Sequence, residues 1–208
     1  MFFDVLTQDE LERRDRLRTL KLRLSYQHCR SALRVILGLY SGQNPAELRF
    51  CYGKFGKPKL PDRGLHFNVS QSGNLGLVAI ALHSVGVDLE LINPLVVDAD
   101  LVNVFCHPFE KALFEPLPLN KRSSLFYQLL TRKEAYCKAL GIGLQRAFRS
   151  LRFDDLDSLR SQVYDEDVAD TVPFFAYDLR CIIGYSASVC LPYSDARISL
   201  FKLEPRKN

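Results

Sequence analysis

The 208-residue sequence predicts an α+β protein made of two similar halves. Helical patterns are followed by a group of strand patterns, and the same order then occurs a second time, with the change near Asn93. The apolar strand patterns at 76–82 and 184–191 also resemble each other in composition and in their position within each half. We therefore expect two domains, an N-terminal half of residues 1–92 and a C-terminal half of residues 93–208.

The first half is predicted to open with two helices. Thr7 and Glu10 have the spacing of a capping box, and leucines at near-helical intervals follow as far as Leu24. A second helical pattern runs from Tyr26 to about Tyr40, where a serine and a glycine end it. Strand patterns then follow at residues 50–52, 65–70, 75–82 and 85–90.

The second half is predicted to begin with helices at 97–114 and 123–140. Gly141 follows the second pattern, at the position where glycine commonly ends a helix. The remaining strand patterns lie near residues 151–153, 174–179, 182–190 and 198–203.

Composition favours a soluble globular protein without a membrane-spanning segment. Apolar and charged residues make up 47% and 25% of the chain, which is ordinary for a soluble domain. No apolar run approaches the roughly 20 residues that a membrane span needs, and the N-terminus lacks signal-peptide features, so we expect a cytoplasmic location. The six cysteines form no C-x-x-C pair, which predicts free thiols in a reducing compartment and no zinc site.

Positive charge is concentrated in the first third of the chain. Residues 13–63 contain 13 Lys or Arg against three Asp or Glu, a local net charge of +10, although the whole chain carries only +4. Such an excess predicts an anionic partner, which on this observation could be a nucleotide, a phosphate or a nucleic acid.

Two short motifs carry the charges that phosphoryl chemistry needs. Asp88 and Glu90 alternate along a strand and therefore point to the same face, and Glu134 and Lys138 lie one turn apart on a helix. Magnesium prefers a few carboxylates plus water and phosphate oxygens, and an ammonium can neutralise a phosphate. Taken singly, the pairs fit equally ordinary structures, a solvent-facing strand edge and a surface ion pair on a helix.

A third motif is the turn 53–58. Gly56 permits a close backbone approach and Pro58 fixes the chain beside it, so Lys57 is predicted to face a phosphate from a rigid turn. The spacing is not that of a P-loop. A plain solvated turn explains the same residues equally well.

In this order, the motifs resemble those of the Sfp-type 4′-phosphopantetheinyl transferases. The likeness covers about residues 30–145, and it implies a pseudo-two-fold pair of similar α/β halves with coenzyme A bound between them. The segments that carry it are 56–60, 67–73, 85–90, 105–110 and 131–143.

The resemblance implies a role for each candidate residue. Asp88, Glu90 and Glu134 would hold Mg²⁺, and Lys138 would stabilise the phosphate charge. Glu110 and Glu134 are competing candidates for the group that takes the proton. The residues implied in coenzyme A binding are Arg18, Lys21, Arg34, Lys57, Pro58, Ser70 and Gln71.

Two positions depart from the family pattern. Gln71 stands where the family usually carries histidine, and Leu130 stands where it usually carries tryptophan. Glutamine can donate a hydrogen bond to phosphate but cannot carry a positive charge. We therefore expect weaker coenzyme binding with the chemistry retained, and a change in packing alone at Leu130.

The implied function is the Mg²⁺-dependent transfer of 4′-phosphopantetheine from coenzyme A to a serine of an apo acyl or peptidyl carrier protein. The carrier would serve fatty-acid, polyketide or nonribosomal peptide synthesis. We expect a monomer without a nucleic-acid or membrane partner. One alternative is a homologue that binds coenzyme A or a carrier without turnover. Another is nucleic-acid binding through the basic first third, which lacks interleaved aromatic residues and a recognised motif.

Overall fold

The computed structural model describes residues 5–61, 64–93, 97–143, 147–168, 172–180 and 182–203. The chain divides into two compact units. Unit 1 comprises Met1–Cys51, Leu60–Leu65 and Arg197–Asn208, and unit 2 comprises Tyr52–Lys59 and His66–Ala196. These units do not coincide with the predicted halves, whose boundary after residue 92 stays a prediction.

The described residues form a mixture of helices and antiparallel strands, which confirms the predicted α+β class. The helices are α1 (Gln8–Asp15), α2 (Leu20–Ser41), α3 (Ala99–Phe105), α4 (Pro108–Lys111) and α5 (Leu119–Leu140). The strands are β1 (Cys51–Tyr52), β2 (Pro58–Lys59), β3 (His66–Ser72), β4 (Leu75–Ala81), β5 (Gly86–Leu91), β6 (Leu151–Phe153), β7 (Arg160–Asp165), β8 (Phe174–Asp178) and β9 (Tyr185–Leu191).

Unit 1 contains helices α1 and α2, with a break between them that differs from the prediction. The N–H of Thr7 donates to Glu10 at 3.0 Å, as the predicted capping box requires. Helix α2 begins at Leu20, not near Tyr26, because the Thr19 hydroxyl accepts a hydrogen bond from the Leu22 N–H and starts the helix there. The leucine spacing continues across the break, so it did not predict where α1 ends and α2 begins.

Unit 2 is built on a five-stranded antiparallel sheet in the order β5-β9-β8-β7-β6. Helix α5 packs on β5 and β9, and buried residues of α5 such as Leu129 and Tyr136 join Phe105 and Phe153 in the main core. Strands β3 and β4 form a separate antiparallel hairpin.

In the later part of the chain, the prediction missed one strand and placed another where the structure has none. Strand β7 was not predicted, because only Ser161 and Val163 of its six residues are buried and the apolar signal is weak. Residues 198–203 form no strand, although Ile198 and Leu200 alternate as strand residues do; both side chains are exposed.

The predicted helix at 97–114 is interrupted at His107. The His107 backbone is extended, and Pro108 begins α4 at the first helical position, where its missing N–H costs nothing. The next helix, α5, begins at Leu119 after Pro118, four residues earlier than the predicted start at 123. No helix in the described part of the chain has both the length and the apolar character needed to cross a bilayer.

Strand β3 is fixed along the free edge of β5 by its side chains. Because alternate residues of a strand share one face, every second side chain of β3 can meet the outward N–H groups of β5. These are the pairs Asn68 Oδ1 with the Val87 N–H at 2.8 Å, Ser70 Oγ with the Leu89 N–H at 3.3 Å, and Ser72 Oγ with the Leu91 N–H at 3.0 Å.

Helix α5 and strand β5 approach each other most closely at Gly86. A Cβ added there would lie 2.0 Å from the carbonyl oxygen of Ala135 and 2.3 Å from the backbone nitrogen of Ala139. Only glycine fits this contact. The close approach brings the end of α5, with Glu134 and Lys138, against the strand that carries Asp88 and Glu90.

Candidate active site

Four predicted residues meet in unit 2: Asp88, Glu90, Glu134 and Lys138, which we call the carboxylate–lysine cluster. The Lys138 ammonium forms an ion pair with the Asp88 carboxylate and lies 3.5 Å from a carboxylate oxygen of Glu134. Asp88 is only 1% exposed, so it does not lie on a solvent-facing strand edge. The helix and strand motifs therefore belong to one site.

Serines of β3 hold the two carboxylates of β5 in place. The Ser70 hydroxyl donates to Asp88 at 2.9 Å and accepts from Lys138 at 3.2 Å, and the Ser72 hydroxyl donates to Glu90 at 2.9 Å. Ser70 was predicted to contact the coenzyme; the structure shows it bonded within the cluster. Ser72 was missed, although its two-residue spacing from Ser70 is the signal that places both hydroxyls on one face.

The carboxylates of the cluster destabilise one another's charge. Burial raises the pKa of Glu134, and the negative charges of Asp88 and Glu90 raise it further, against the opposing effect of Lys138. Burial also raises the pKa of Glu90, with a contribution from Asp88. Three carboxylates thus share one ammonium, and an added cation would relieve their repulsion.

The donors of the cluster are of the chemical type that a hard cation prefers, but they are not arranged as a ligand set. Asp88 Oδ2 is buried without a hydrogen-bond partner, which is costly for a carboxylate oxygen unless a further group completes its environment. Within the described ranges, no three acidic, histidine or cysteine side chains are arranged around a common point as metal ligands. The carboxylates of Asp88 and Glu134 are instead gathered around the Lys138 ammonium.

Lys57 does not face an open phosphate position in this structure. Its ammonium donates to the carbonyl oxygens of Val85 at 2.9 Å, Lys138 at 2.6 Å and Ala139 at 2.9 Å. Burial lowers the pKa of Lys57 to about 8, and the charge of Lys59 contributes to the decrease. At neutral pH the side chain is still protonated, so its three N–H donors match three carbonyl acceptors.

Arg34 is a structural residue of unit 1, against the prediction that it contacts coenzyme A. Its side chain is 2% exposed. The guanidinium donates to Glu10 at 2.6 Å, to the carbonyls of Pro45 and Leu48 at 2.8 and 3.2 Å, and to the Thr7 hydroxyl at 3.3 Å. A phosphate contact would require breaking this buried network.

Glu110 is also bonded within the protein, in a buried ion pair. Its carboxylate accepts hydrogen bonds from the His107 N–H at 2.9 Å and from the buried Lys133 ammonium at 2.6 Å. Burial raises the pKa of Glu110, and Lys133 opposes the increase. Lys133 and Glu134 are adjacent in α5 and point about 100° apart, so Glu110 lies on a different face of the helix from the cluster. Of the two predicted bases, only Glu134 belongs to the cluster.

The remaining predicted residues have few specific contacts. Gln71 is exposed on β3 between two serines that face the cluster, and Pro58 is half-buried in β2. Arg18 and Lys21 are exposed in unit 1. Leu130 is partly buried against the main core, so the replacement of the usual tryptophan falls in a packing position.

Comparisons with known proteins identify one family. Residues 84–190, which include the whole cluster, match the 4′-phosphopantetheinyl transferase superfamily. The 4′-phosphopantetheinyl transferase HetI of Nostoc sp. is 38% identical over 68% of this chain and 62% of its own length. Sfp of Bacillus subtilis, also a 4′-phosphopantetheinyl transferase, is 28% identical over 72% of this chain and 66% of its own.

Two further likenesses are of different strength. The protein slr0495 of Synechocystis sp., whose name assigns it provisionally to the 4′-phosphopantetheinyl transferases, is 35% identical over 80% of this chain and 69% of its own length. The crystal structure of holo-[acyl-carrier-protein] synthase from Thermotoga maritima aligns at a TM-score of 0.34, with 18% identity over 51% of this chain and 61% of that chain, and is too distant to define the site.

The chain belongs to the 4′-phosphopantetheinyl transferase superfamily, which confirms the resemblance found in its motifs. The relatives named above are 4′-phosphopantetheinyl transferases by name. The matches span about two thirds of the length of these relatives.

Proposed function

We propose that this chain transfers 4′-phosphopantetheine from coenzyme A to a serine of an apo acyl or peptidyl carrier protein, in a Mg²⁺-dependent reaction. The observation that carries the proposal is the meeting of Asp88, Glu90, Glu134 and Lys138 in one site. Family membership supports the same reaction.

The proposed metal ligands are Asp88, Glu90 and Glu134. The orphaned oxygen of Asp88 and the mutual repulsion of the carboxylates support this assignment. When bound, Mg²⁺ would supply positive charge against the pyrophosphate of coenzyme A. Lys138 provides a second positive charge beside the same carboxylates and is proposed to stabilise negative charge on the phosphates.

In the proposed reaction, the carrier serine oxygen attacks the β-phosphorus of coenzyme A. A new phosphorus–oxygen bond forms, and the bond from that phosphorus to the bridging oxygen breaks. Adenosine 3′,5′-bisphosphate leaves with the electron pair. The serine proton passes to a carboxylate, directly or through one water, and Glu134 is proposed for this step because it lies in the cluster and burial makes it more basic than an exposed glutamate.

Gln71, Pro58 and the exposed basic residues Arg18 and Lys21 are each proposed to contribute to coenzyme A binding. We further propose that the chain acts as a monomer in the cytoplasm, without a nucleic-acid or membrane partner. The carrier is proposed to belong to fatty-acid, polyketide or nonribosomal peptide synthesis.

The test is a mass assay on carrier proteins. The protein, coenzyme A and Mg²⁺ are incubated with a panel of apo carriers from the three types of synthesis, and a gain of one phosphopantetheine is expected on at least one. Asp88→Asn should reduce the rate by about 100-fold or more because it removes a metal ligand and the partner of Lys138. Glu115→Gln, at an exposed carboxylate of the same unit, is the matched control and should leave the rate unchanged.

Absence of transfer to every carrier would contradict the proposal. In that case, calorimetry would decide whether coenzyme A still binds, as the alternative of a homologue without turnover requires. An Asp88→Asn variant that is as active as the Glu115→Gln control would exclude the cluster as the active site.

A further inference from the structure

We propose that Lys57 is a positioning residue that locks the end of helix α5 onto the start of strand β5, and that it does not bind the coenzyme. The inference rests on the proposed function, because α5 and β5 carry the residues of the carboxylate–lysine cluster. It departs from the role that family resemblance assigned to Lys57.

The side chain joins two elements that meet at the cluster. Two of its three acceptors, the carbonyls of Lys138 and Ala139, belong to the last turn of α5, where carbonyl groups have no partner within the helix. The third acceptor, the Val85 carbonyl, comes directly before β5. A cation at this helix end also opposes the negative end of the helix dipole.

Backbone hydrogen bonds also fix the turn that carries Lys57. The Gly53 N–H donates to the Lys57 carbonyl at 2.9 Å, and the Gly56 N–H donates to the Gly53 carbonyl at 2.9 Å. Gly56 has a φ of 80°, which glycine adopts without strain. The turn therefore fixes the backbone position from which the Lys57 side chain extends.

The same helix end is held by other short contacts. The Ser84 hydroxyl donates to the Ala139 carbonyl at 2.5 Å. Gly86 allows the strand to touch the backbone of α5. Among these contacts, Lys57 alone bonds to the backbone of Lys138, whose own ammonium pairs with Asp88 on β5. A shift of the helix end would move this ammonium away from its carboxylates.

A role in coenzyme binding conflicts with the bonds of the side chain. A lysine ammonium has three N–H donors, and the three carbonyls use all of them. The Lys57 ammonium could donate a hydrogen bond to a phosphate only if it gave up one of its hydrogen bonds to these carbonyls. The two roles therefore predict different effects when Lys57 is replaced.

The experiment compares Lys57→Met with Lys54→Met. Lys54 is an exposed lysine of the same turn and serves as the matched control. Two quantities are measured that need no turnover: hydrogen–deuterium exchange of a peptide covering residues 136–143, and the dissociation constant for coenzyme A by calorimetry. Steady-state kinetics with a carrier substrate gives kcat and KM as a third measurement.

For Lys57→Met we expect amide exchange at 136–143 to be about tenfold faster, because the helix end opens more often. The dissociation constant and KM for coenzyme A should stay within about threefold, and kcat should fall by about tenfold or more, as small misplacements of catalytic groups do. Lys57→Arg keeps a cation with several donors and should recover slow exchange and most of kcat. Lys54→Met should match the unmodified protein.

Unchanged exchange at 136–143, or a rise of about tenfold or more in the coenzyme A dissociation constant, would each overturn the inference. If Lys57→Met does not fold, Lys57→Gln, which keeps two N–H donors, is compared by the same two measurements and should give intermediate exchange. If the unmodified protein transfers nothing to any carrier, the proposed function fails, while exchange and coenzyme binding still decide the role of Lys57.

Discussion

At the scale of single residues, the carboxylates of the carboxylate–lysine cluster are held in surroundings that oppose their negative charge. Glu134 and Glu90 are half-buried, and each lies within the field of Asp88. Burial and like charges both oppose their ionisation, and Lys138 offsets only part of that effect. Groups held in an unfavourable charge state are common at sites that act on a ligand, since the ligand then supplies the missing charge.

This arrangement predicts that Glu134→Gln stabilises the metal-free protein while it abolishes transfer. The pKa of Glu134 is raised in the folded protein, so its contribution to stability is present below the pKa of the unfolded chain and is lost as pH rises through the folded pKa. At pH 7 the variant should gain about 0.5 to 2 kcal/mol in the free energy of unfolding, measured by urea denaturation without Mg²⁺.

The pH dependence provides the check. Below about pH 3, a glutamate is almost fully neutral in both states, so the gain should vanish there. Addition of Mg²⁺ should raise the Tm of the unmodified protein more than that of the variant if Glu134 is a ligand of the metal in the folded state, as proposed. A variant that is less stable than the unmodified protein at pH 7 would show that Glu134 is not under repulsion.

Glu110→Gln gives the contrasting result at the other predicted base. It leaves the buried Lys133 ammonium without its charge partner, and breaking a buried ion pair costs about 3 to 5 kcal/mol. The folded fraction should retain kcat within a few-fold, measured at a temperature where the variant is fully folded. A large loss of kcat with stability unchanged would return Glu110 to the list of catalytic candidates.

At the scale of secondary-structure elements, strongly periodic segments were predicted well and interruptions were not. The predicted strand at 85–90 and helix at 123–140 lie almost where the structure has β5 and α5, because their apolar spacing is clear. The break before Leu20 depends on one threonine hydroxyl, and β7 depends on pairing with its neighbours. Neither leaves a periodic signal in the sequence.

In the candidate site, too, the local arrangement was predicted and the contacts between elements were not. The sequence placed Asp88 and Glu90 on one strand face and Glu134 and Lys138 on one helix face, but it did not establish that the faces meet. It also could not show that Lys57 is bonded within the protein, because the acceptors are backbone carbonyls, which carry no side-chain signal. A charged residue in a motif can therefore serve the fold as readily as the ligand.

The contact between α5 and β5 predicts a severe effect of Gly86→Ala. The added methyl group would lie 2.0 Å from a backbone oxygen of α5, so the helix must move or the strand must bend. We expect a loss of about 3 kcal/mol or more in the free energy of unfolding, at the upper end for overpacking. Transfer activity should fall as well, because the displaced helix carries Lys138.

Gly53→Ala is the control for this prediction. A Cβ at Gly53 would meet its nearest neighbour at 3.7 Å, which is ordinary van der Waals contact. Its effect on the free energy of unfolding should stay within about 1 kcal/mol, the usual range for a tolerated substitution. Equal stability of the two variants, measured by urea denaturation, would contradict the close approach of α5 and β5.

At the scale of the whole molecule, charge is distributed unevenly along the chain. The local net charge of +10 over residues 13–63 contrasts with +4 for the complete sequence. Part of the excess is used within unit 1, where Arg30 and Arg34 pair with the buried Glu10. Arg18 and Lys21 are exposed in the same segment and remain candidates for contact with an anionic ligand.

This distribution predicts that electrostatic attraction of coenzyme A depends on Arg18 and Lys21. The double substitution R18A and K21A should raise KM for coenzyme A by about tenfold, since two charge-assisted contacts to phosphate are lost, with kcat within about twofold. It should also flatten the rise of KM between low salt and about 0.3 M salt, because screening acts on those charges. Lys121→Ala, at an exposed lysine of α5, is the control. If this control raises KM as much as the double substitution, net charge alone governs coenzyme capture and the two residues have no specific role.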